Sequence, residues 1–403
     1  MKRLICFSLF IFIASCLTSS YSQKAYKPIR SLLKEKKGKD ALNYVKKLEA
    51  DSAYMNDPKL YDLGKDANMI IYAIENEKLY LKKQYDTITF FQSIYGIYDY
   101  ILRCENKEKM LLDKENIKPK FQKTNRTYLH SFYKNIGAGG KYFSAKKQYA
   151  EAMKFMELYL EVPKTEIWGK KENLVLEKSN TISAYIYQKS AYQNGDYNKV
   201  DRYNDITLND SMLRRSVIDL MVGTAEKTND TLQMLDYLKI GISEYSNHPF
   251  YFTKLYEYFV NQEKYDEAYH LADSLSVVYP DSTLYSYSKV YPLIKVEKFD
   301  KAIEEANKVI QNDTMHLDLH YYLGFAYYKL ANAIKLPTSI NSSQYRAKSK
   351  IQKDYYKKAL PHLEKYKSNY PENIDKWGYL LHDIYWALNM GKQYDEIIKV
   401  LNK

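Results

Sequence analysis

Three short stretches share one pattern: residues 196–200 (DYNKV), 264–268 (KYDEA) and 298–302 (KFDKA). In each stretch an aromatic residue follows a polar one, and a small or aliphatic residue stands three places after the aromatic. Side chains three or four residues apart lie on the same face of an α-helix. The aromatic and the small or aliphatic residue of each stretch would therefore share one face of a helix.

These stretches recur with a fixed period. The aromatic position repeats with a 34-residue step, at Tyr197, Thr231, Tyr265 and Phe299. The aliphatic position repeats with the same step, at Val200, Met234, Ala268 and Ala302. Self-similarity at a fixed period of this size is the signature of a repeat protein, in which neighbouring helical units share one continuous core.

Residues 249–282 contain the parts of one such unit. The apolar stripe of a first helix is formed by Phe252, Leu255 and Phe259. Ala268 and Ala272 serve a second helix, and Pro280 ends it because proline cannot continue the helical hydrogen-bond ladder. In residues 321–328 (YYLGFAYY) the next first helix carries Leu323, Gly324 and Tyr327.

The 34-residue period and the positions of Leu323, Gly324 and Tyr327 resemble the tetratricopeptide repeat (TPR). The resemblance implies an all-α fold, an α-α superhelix (TPR solenoid) of antiparallel helix pairs. It also implies that the first helices line a concave groove that holds a protein or peptide partner.

The sequence divides into three predicted segments. Residues 1–22 are predicted to be a signal peptide, residues 23–180 divergent helical or TPR-like repeats, and residues 181–403 a TPR array. The residue numbers of Ala302 and Ala359 differ by 57, which exceeds one period by 23, so an inserted loop is predicted near residues 335–352. Tyr149 and Tyr197 are 48 residues apart, which exceeds one period by 14, and these additional residues are predicted to lie near 162–163 and 168–169.

The first residues have the layout of an export signal. A basic start at residues 1–3 precedes an apolar run at residues 4–14, which is too short to span a bilayer. Residues 13–16 (IASC) resemble a bacterial lipobox, which predicts lipidation of Cys16, whereas residues 20–22 predict cleavage near Gln23. Either reading places the mature chain in the periplasm or at the cell envelope, with the outer membrane as the expected site of a lipid anchor and with no transmembrane helix.

The net charge of +12 over 403 residues would suit an anionic partner. However, the lysines alternate with acidic residues, as is typical of solvated helix faces. Binding of nucleic acid fits the charge but not export, so no nucleic acid partner is predicted.

The sequence contains none of the catalytic motifs that we sought. Residues 137–141 (GAGGK) lack the first glycine and the final Ser or Thr of a phosphate-binding loop, and are interpreted as close helix packing or a helix break. His316 and His320 are four residues apart, but a metal site needs a third ligand, so they are interpreted as a surface pair. We predict no enzyme activity, no cofactor and no metal.

Tyrosine is unusually frequent, with 44 residues against 14 Phe and 3 Trp. Many of these rings, with several lysines, fall at first-helix positions that face the groove in TPR proteins. The predicted partner-binding residues are Tyr185, Lys189, Tyr192, Tyr287, Tyr291, Lys295, Tyr321, Tyr328 and Lys329. Such rings stack on a ligand and donate hydrogen bonds, while the lysines pair with acidic groups.

The favoured function is a non-catalytic scaffold or adaptor of the bacterial cell envelope that binds a protein or peptide. The alternative is a helical-repeat receptor for carbohydrate or a cell-wall ligand, because tyrosine rings also stack on sugars. Exposed tryptophan would favour that alternative. Of the three tryptophans, Trp168, Trp377 and Trp386, the last two are interpreted as structural, which favours the protein partner.

Overall fold

The computed structural model describes residues 24–169, 178–312 and 316–402. The predicted signal peptide with Cys16, and the cleavage site near Gln23, lie outside the described residues. The chain divides into two compact units: unit 1 ends at Asp230 and unit 2 begins at Thr231. Every regular element in the described ranges is helical, so the predicted all-α fold is confirmed. The predicted boundary at residue 180 falls inside unit 1.

Unit 1 consists of helix pairs followed by shorter helices. Its α-helices are α1 (Lys27–Lys34), α2 (Gly38–Glu49), α3 (Pro58–Tyr80), α4 (Thr87–Glu115), α5 (Gln122–Ala145), α6 (Tyr149–Glu161), α7 (Lys178–Asn194), α8 (Asn204–Thr207) and α9 (Arg214–Thr228). Consecutive helices α1 and α2, α3 and α4, and α5 and α6 pack together as hairpins. Helices α3, α4 and α5 are 23, 29 and 24 residues long, which explains the irregular period in this part of the sequence. Two short 3-10 turns, Val162–Lys164 and Glu166–Trp168, follow α6 where extra residues are predicted.

Unit 2 contains a regular succession of helix pairs. Its α-helices are α10 (Thr231–Glu244), α11 (Pro249–Asn261), α12 (Tyr265–Val278), α13 (Thr283–Ser288), α14 (Val290–Lys295), α15 (Phe299–Asn312), α16 (Leu317–Asn332), α17 (Ser343–Asn369), α18 (Ile374–Ala387) and α19 (Gly391–Leu401). Only Lys289, itself in the right-handed helical region, separates α13 from α14, and the two together form one first helix. The first helices are thus α11, α13–α14, α16 and α18, and the second helices are α12, α15, α17 and α19.

A left-handed residue follows a helix at a fixed position in successive repeats. It recurs with the same 34-residue step, at Gly195, Asn229, Glu263 and Glu297. After α11 the N–H of Lys264 donates to the carbonyl of Phe259 at 2.8 Å, and the turn after α14 has the same pattern. This is the Schellman motif, which satisfies the last carbonyls of a helix. The 34-residue period of the sequence is therefore also a period of the backbone.

Small residues set the distance between paired helices. Ala268 and Ala272 of α12 are fully buried, as the repeat pattern predicts. A Cβ on Gly324 would lie 2.5 Å from Leu363 Cγ, so α16 and α17 approach at this glycine more closely than any side chain allows. Likewise, a Cβ on Gly139 or Gly140 would lie 2.6 Å from a side-chain atom of α6. The interpretation of residues 137–141 as close helix packing is confirmed, and α5 continues through them without a break.

Two sequence interpretations differ from the structure in unit 2. The inserted loop predicted near residues 335–352 is shorter, because α17 begins at Ser343 and is 27 residues long, against 14 for α12. Most of the insertion therefore lengthens a second helix.

Trp377 is structural, being 2% exposed with its indole N–H donated to the Tyr370 carbonyl. In contrast, Trp386 is 69% exposed, so its structural interpretation is wrong.

Candidate functional site

Three successive first helices of unit 2 bring five tyrosines together. We call this set the tyrosine surface: Tyr256 on α11, Tyr287 on α13, Tyr291 on α14, and Tyr321 and Tyr322 on α16. The Tyr291 and Tyr322 ring centroids are 6.0 Å apart at 60°, and those of Tyr321 and Tyr322 are 5.5 Å apart. All five side chains are half-buried, so each ring is held in place and still presents part of its area to solvent.

A hydrogen bond fixes one end of the tyrosine surface. Pro292 has no N–H, so the carbonyl of Ser288, four residues earlier, has no helical donor there. The Tyr256 hydroxyl donates to this carbonyl at 2.9 Å. Pro292 thus leaves the Ser288 carbonyl as a free acceptor, and Tyr256 of α11, which belongs to the tyrosine surface, donates to it.

Two exposed lysines lie against the rings. The ammonium of Lys295 is 5.5 Å from the centroid of the Tyr291 ring, and that of Lys376 on α18 is 5.5 Å from the centroid of Tyr321. Both are cation–π contacts. The electrostatic interaction with Tyr291, followed by a hydrogen bond to it, raises the pKa of Lys295. The surface is therefore aromatic with cationic edges.

Burial keeps the hydroxyls of Tyr256, Tyr287, Tyr321 and Tyr322 protonated at neutral pH. Burial raises the pKa of Tyr256 and of Tyr322 well above the usual range, and it also raises the pKa of Tyr287 and Tyr321. A neutral phenol can donate one hydrogen bond and accept others. The surface can thus offer donors, acceptors and ring faces to a ligand.

The structure brings together only some of the predicted partner-binding residues. Tyr287, Tyr291, Lys295 and Tyr321 meet in the tyrosine surface. Lys329 lies at its edge, 5.5 Å from the ring of Phe325, which in turn contacts Tyr321.

Tyr328 points elsewhere. Its hydroxyl donates to Asp383 at 2.6 Å, and burial, followed by this hydrogen bond, raises the pKa of Tyr328 to about 12. Tyr328 therefore connects α16 to α18.

The other three predicted residues, Tyr185, Lys189 and Tyr192, lie on α7 of unit 1. Lys189 is exposed and Tyr185 is half-buried. Tyr192 packs edge-on against Tyr197 at 5.7 Å. These residues belong to a different unit from the tyrosine surface and are considered separately from it.

Sequence reasoning missed Tyr256, Tyr322 and Lys376. A signal for the two tyrosines was present, because Tyr256 and Tyr291 are related by a 35-residue step, as are Tyr287 and Tyr322. This step is one longer than the period of the second helices, so a comparison at the 34-residue period does not align them. Lys376 follows the irregular insertion, which removes the period altogether.

The two histidines near the start of α16 do not form a surface pair. His320 is 6% exposed, and its Nδ1 lies 2.9 Å from Nδ1 of His362 on α17. Burial, with the nearby charge of Lys365, lowers the pKa of His320 to about 4. His316 precedes the helix and stacks on Tyr287 at 5.1 Å. Within the described ranges no three side chains of metal-ligating type are grouped together.

No protein-family model matches the sequence, and no curated protein matches it. Among solved structures, the chain is similar to MamA AMB-1, with 15% identity, 47% of this chain and 90% of that chain covered, and a TM-score of 0.32. For the P58(IPK) TPR domain the identity is 13%, with 92% of this chain and 98% of that chain covered, and the TM-score is 0.29. For yeast Tom70 the identity is 12%, with 95% of this chain and 91% of that chain covered, and the TM-score is 0.28.

The TPR-like character of the fold follows from the chain's own helix pairs and its 34-residue period of turns. Among the described helices, none is both long enough and apolar enough to cross a membrane.

Proposed function

We propose that this protein is a non-catalytic TPR-like scaffold that binds a protein or peptide partner on the tyrosine surface of unit 2. The observation that carries the proposal is the meeting of five half-buried tyrosines from three successive first helices. Large rings with few rotatable bonds contribute contact area at low entropic cost, and for this reason aromatic residues dominate the energetics of protein interfaces.

The edges of the surface favour a partner segment that carries acidic side chains. Lys295 and Lys376 are both exposed and both lie over tyrosine rings. Complementary charges at an interface rim guide association and select the partner. The rings would bind the apolar parts of the segment, and the lysines would pair with its carboxylates.

We place this scaffold at the bacterial cell envelope, in the periplasm or anchored to the outer membrane through a lipid on Cys16. The support is the sequence of residues 1–22, with its basic start, short apolar run and lipobox-like end. Metabolic labelling with a lipid analogue tests the anchor. Labelling that persists unchanged in Cys16→Ser would exclude lipidation at this residue, and no labelling of the wild type would favour cleavage near Gln23.

Charge reversal at the edges tests the proposed binding surface. The variant Lys295→Glu/Lys376→Glu changes the two lysines that lie over the rings of the tyrosine surface. The matched control Lys301→Glu/Lys392→Glu makes the same change in net charge on the second helices α15 and α19, where both lysines are exposed. In quantitative capture from envelope extract, a partner should be recovered with wild type and control and lost with the first variant. Equal recovery with all three proteins would contradict the proposal.

A further inference from the structure

Unit 1 contains a polar cleft that has no part in the proposed partner surface. It lies between α2, α3 and α4 and has a volume of about 630 Å³. This volume falls within the range of small-molecule sites in proteins. Its lining is rich in amide, hydroxyl, carboxylate and guanidinium groups, including those of Asn68, Gln92, Ser93, Asp99 and Arg103.

The floor of the cleft is built around Gly96 of α4. A Cβ at this position would lie 2.3 Å from Asn68 Oδ1, so only glycine admits the Asn68 side chain. The Asn68 amide is fixed, because its Nδ2 donates to the carbonyl of Gly64 at 2.9 Å. No donor within the described residues reaches Asn68 Oδ1, which leaves this oxygen as an oriented acceptor in a side chain that is only 4% exposed.

One wall of the cleft holds an oriented cation. The Arg103 guanidinium donates to Glu49 at 2.9 Å and lies 5.0 Å from the centroid of the Tyr100 ring. These contacts hold the planar group in one orientation. Its contact with Asp99 is long, at 3.4 Å, so the Asp99 carboxylate keeps acceptor capacity for a ligand.

Two further groups complete the lining. Gln92 is exposed and makes no side-chain hydrogen bond within the described residues, so its amide can both donate and accept. Tyr95 is half-buried, and burial, followed by the charge of Asp99, raises its pKa. The Tyr95 hydroxyl is therefore neutral and can donate a hydrogen bond to a ligand.

We infer that this cleft binds a neutral sugar of one or two rings. A sugar presents closely spaced hydroxyls that act as donors and acceptors at once, and Asn68, Gln92 and Asp99 supply the complementary groups. Tyr95, whose ring packs against Phe155 at 5.3 Å, adds an aromatic group to the lining that can contact the apolar side of a sugar ring. The charges of the lining largely cancel, with the cations Lys39, Lys46 and Arg103 against the carboxylates of Glu49 and Asp99, so an ionic ligand gains little from them.

The inference is tested by calorimetric titration of the full chain with glucose, N-acetylglucosamine and maltose at about 10 mM, the scale at which weak binding is still measured. Glucuronate serves as the charged analogue of glucose. We expect at least one neutral sugar to bind more tightly than glucuronate.

Variants connect the binding to the cleft. Gln92→Ala removes an amide that has no structural partner and should weaken sugar binding about tenfold, the effect of losing one good hydrogen bond. Gln148→Ala removes another exposed glutamine of unit 1 and should leave the affinity unchanged. Absence of binding by all neutral sugars, tighter binding of glucuronate, or equal affinities of the two variants would each overturn the inference.

Discussion

The hydroxyl of Tyr256 donates a hydrogen bond to the carbonyl of Ser288 across two neighbouring first helices. Pro292 leaves this carbonyl without a helical donor, and Tyr256 also forms one end of the tyrosine surface. One tyrosine therefore both stabilises the array and shapes its candidate binding site.

Tyr256→Phe should destabilise unit 2 by about 1–3 kcal/mol, the cost of leaving a buried carbonyl without a donor. In the background of Pro292→Ala the same substitution should cost less, because an alanine at this position supplies the missing N–H. Urea denaturation followed by circular dichroism measures the four proteins of this double-mutant cycle. Tyr258→Phe on the same helix is the control, since that hydroxyl makes no hydrogen bond within the described residues. Equal costs in both backgrounds would show that the proline and the tyrosine are not coupled.

Glu297→Gly should stabilise the protein by about 1 kcal/mol. Glu297 has φ 58°, a left-handed conformation that costs a residue with a Cβ about 1–2 kcal/mol, part of which glycine loses again through its flexible unfolded state. The midpoint of thermal unfolding measures the change. A lower midpoint would contradict the assignment of this turn.

Gly324→Ala should destabilise unit 2 by about 1–3 kcal/mol, because the new methyl group would overlap Leu363 between α16 and α17. Gly391→Ala at the start of α19 is the matched control, since nothing lies within 4 Å of its Cβ position. Chemical denaturation of both variants tests the difference. Similar stabilities of the two variants would argue against close packing at Gly324.

Stability should fall as the pH decreases from about 6.5 to about 4, in part because of His320. Burial keeps the folded pKa of His320 near 4, whereas the unfolded side chain titrates near 6.5. Between pH 6.5 and pH 4 the unfolded chain binds a proton on His320 that the folded chain does not. The contribution of neutral, buried His320 to the free energy of unfolding is therefore complete above about pH 6.5 and is lost as the pH falls towards 4. His320→Gln, which cannot titrate, should flatten the decrease by about 1–3 kcal/mol. Parallel pH profiles of the two proteins would show that His320 does not contribute.

The sequence predicts the regular part of the fold because each repeat combines several local signals. In residues 249–282 the apolar stripe of the first helix and the small residue Ala268 fall at fixed distances, and Phe252, Leu255 and Ala268 are buried in the structure. The long helices α3, α4 and α5 lack this spacing, so their pairing depends on tertiary contacts that no period reveals.

The candidate site is less predictable for a physical reason. Tyr291 and Tyr328 are both predicted to face the groove, yet only Tyr291 joins the tyrosine surface, because the Tyr328 hydroxyl donates to Asp383. Which ring faces a ligand and which satisfies a carboxylate depends on the neighbouring helix. The exposure of Trp386 and the burial of His320 likewise depend on neighbours that sequence spacing does not specify.

Site-specific photocrosslinking in living cells tests the central claim most directly. Benzoylphenylalanine at position 291 replaces one aromatic residue of the tyrosine surface by another, and the same group at position 301 on α15 is the control. We predict a distinct covalent adduct with a partner protein from position 291 that is absent from position 301. No protein adduct from position 291, or the same adducts from both positions, would contradict a partner-binding role for this surface.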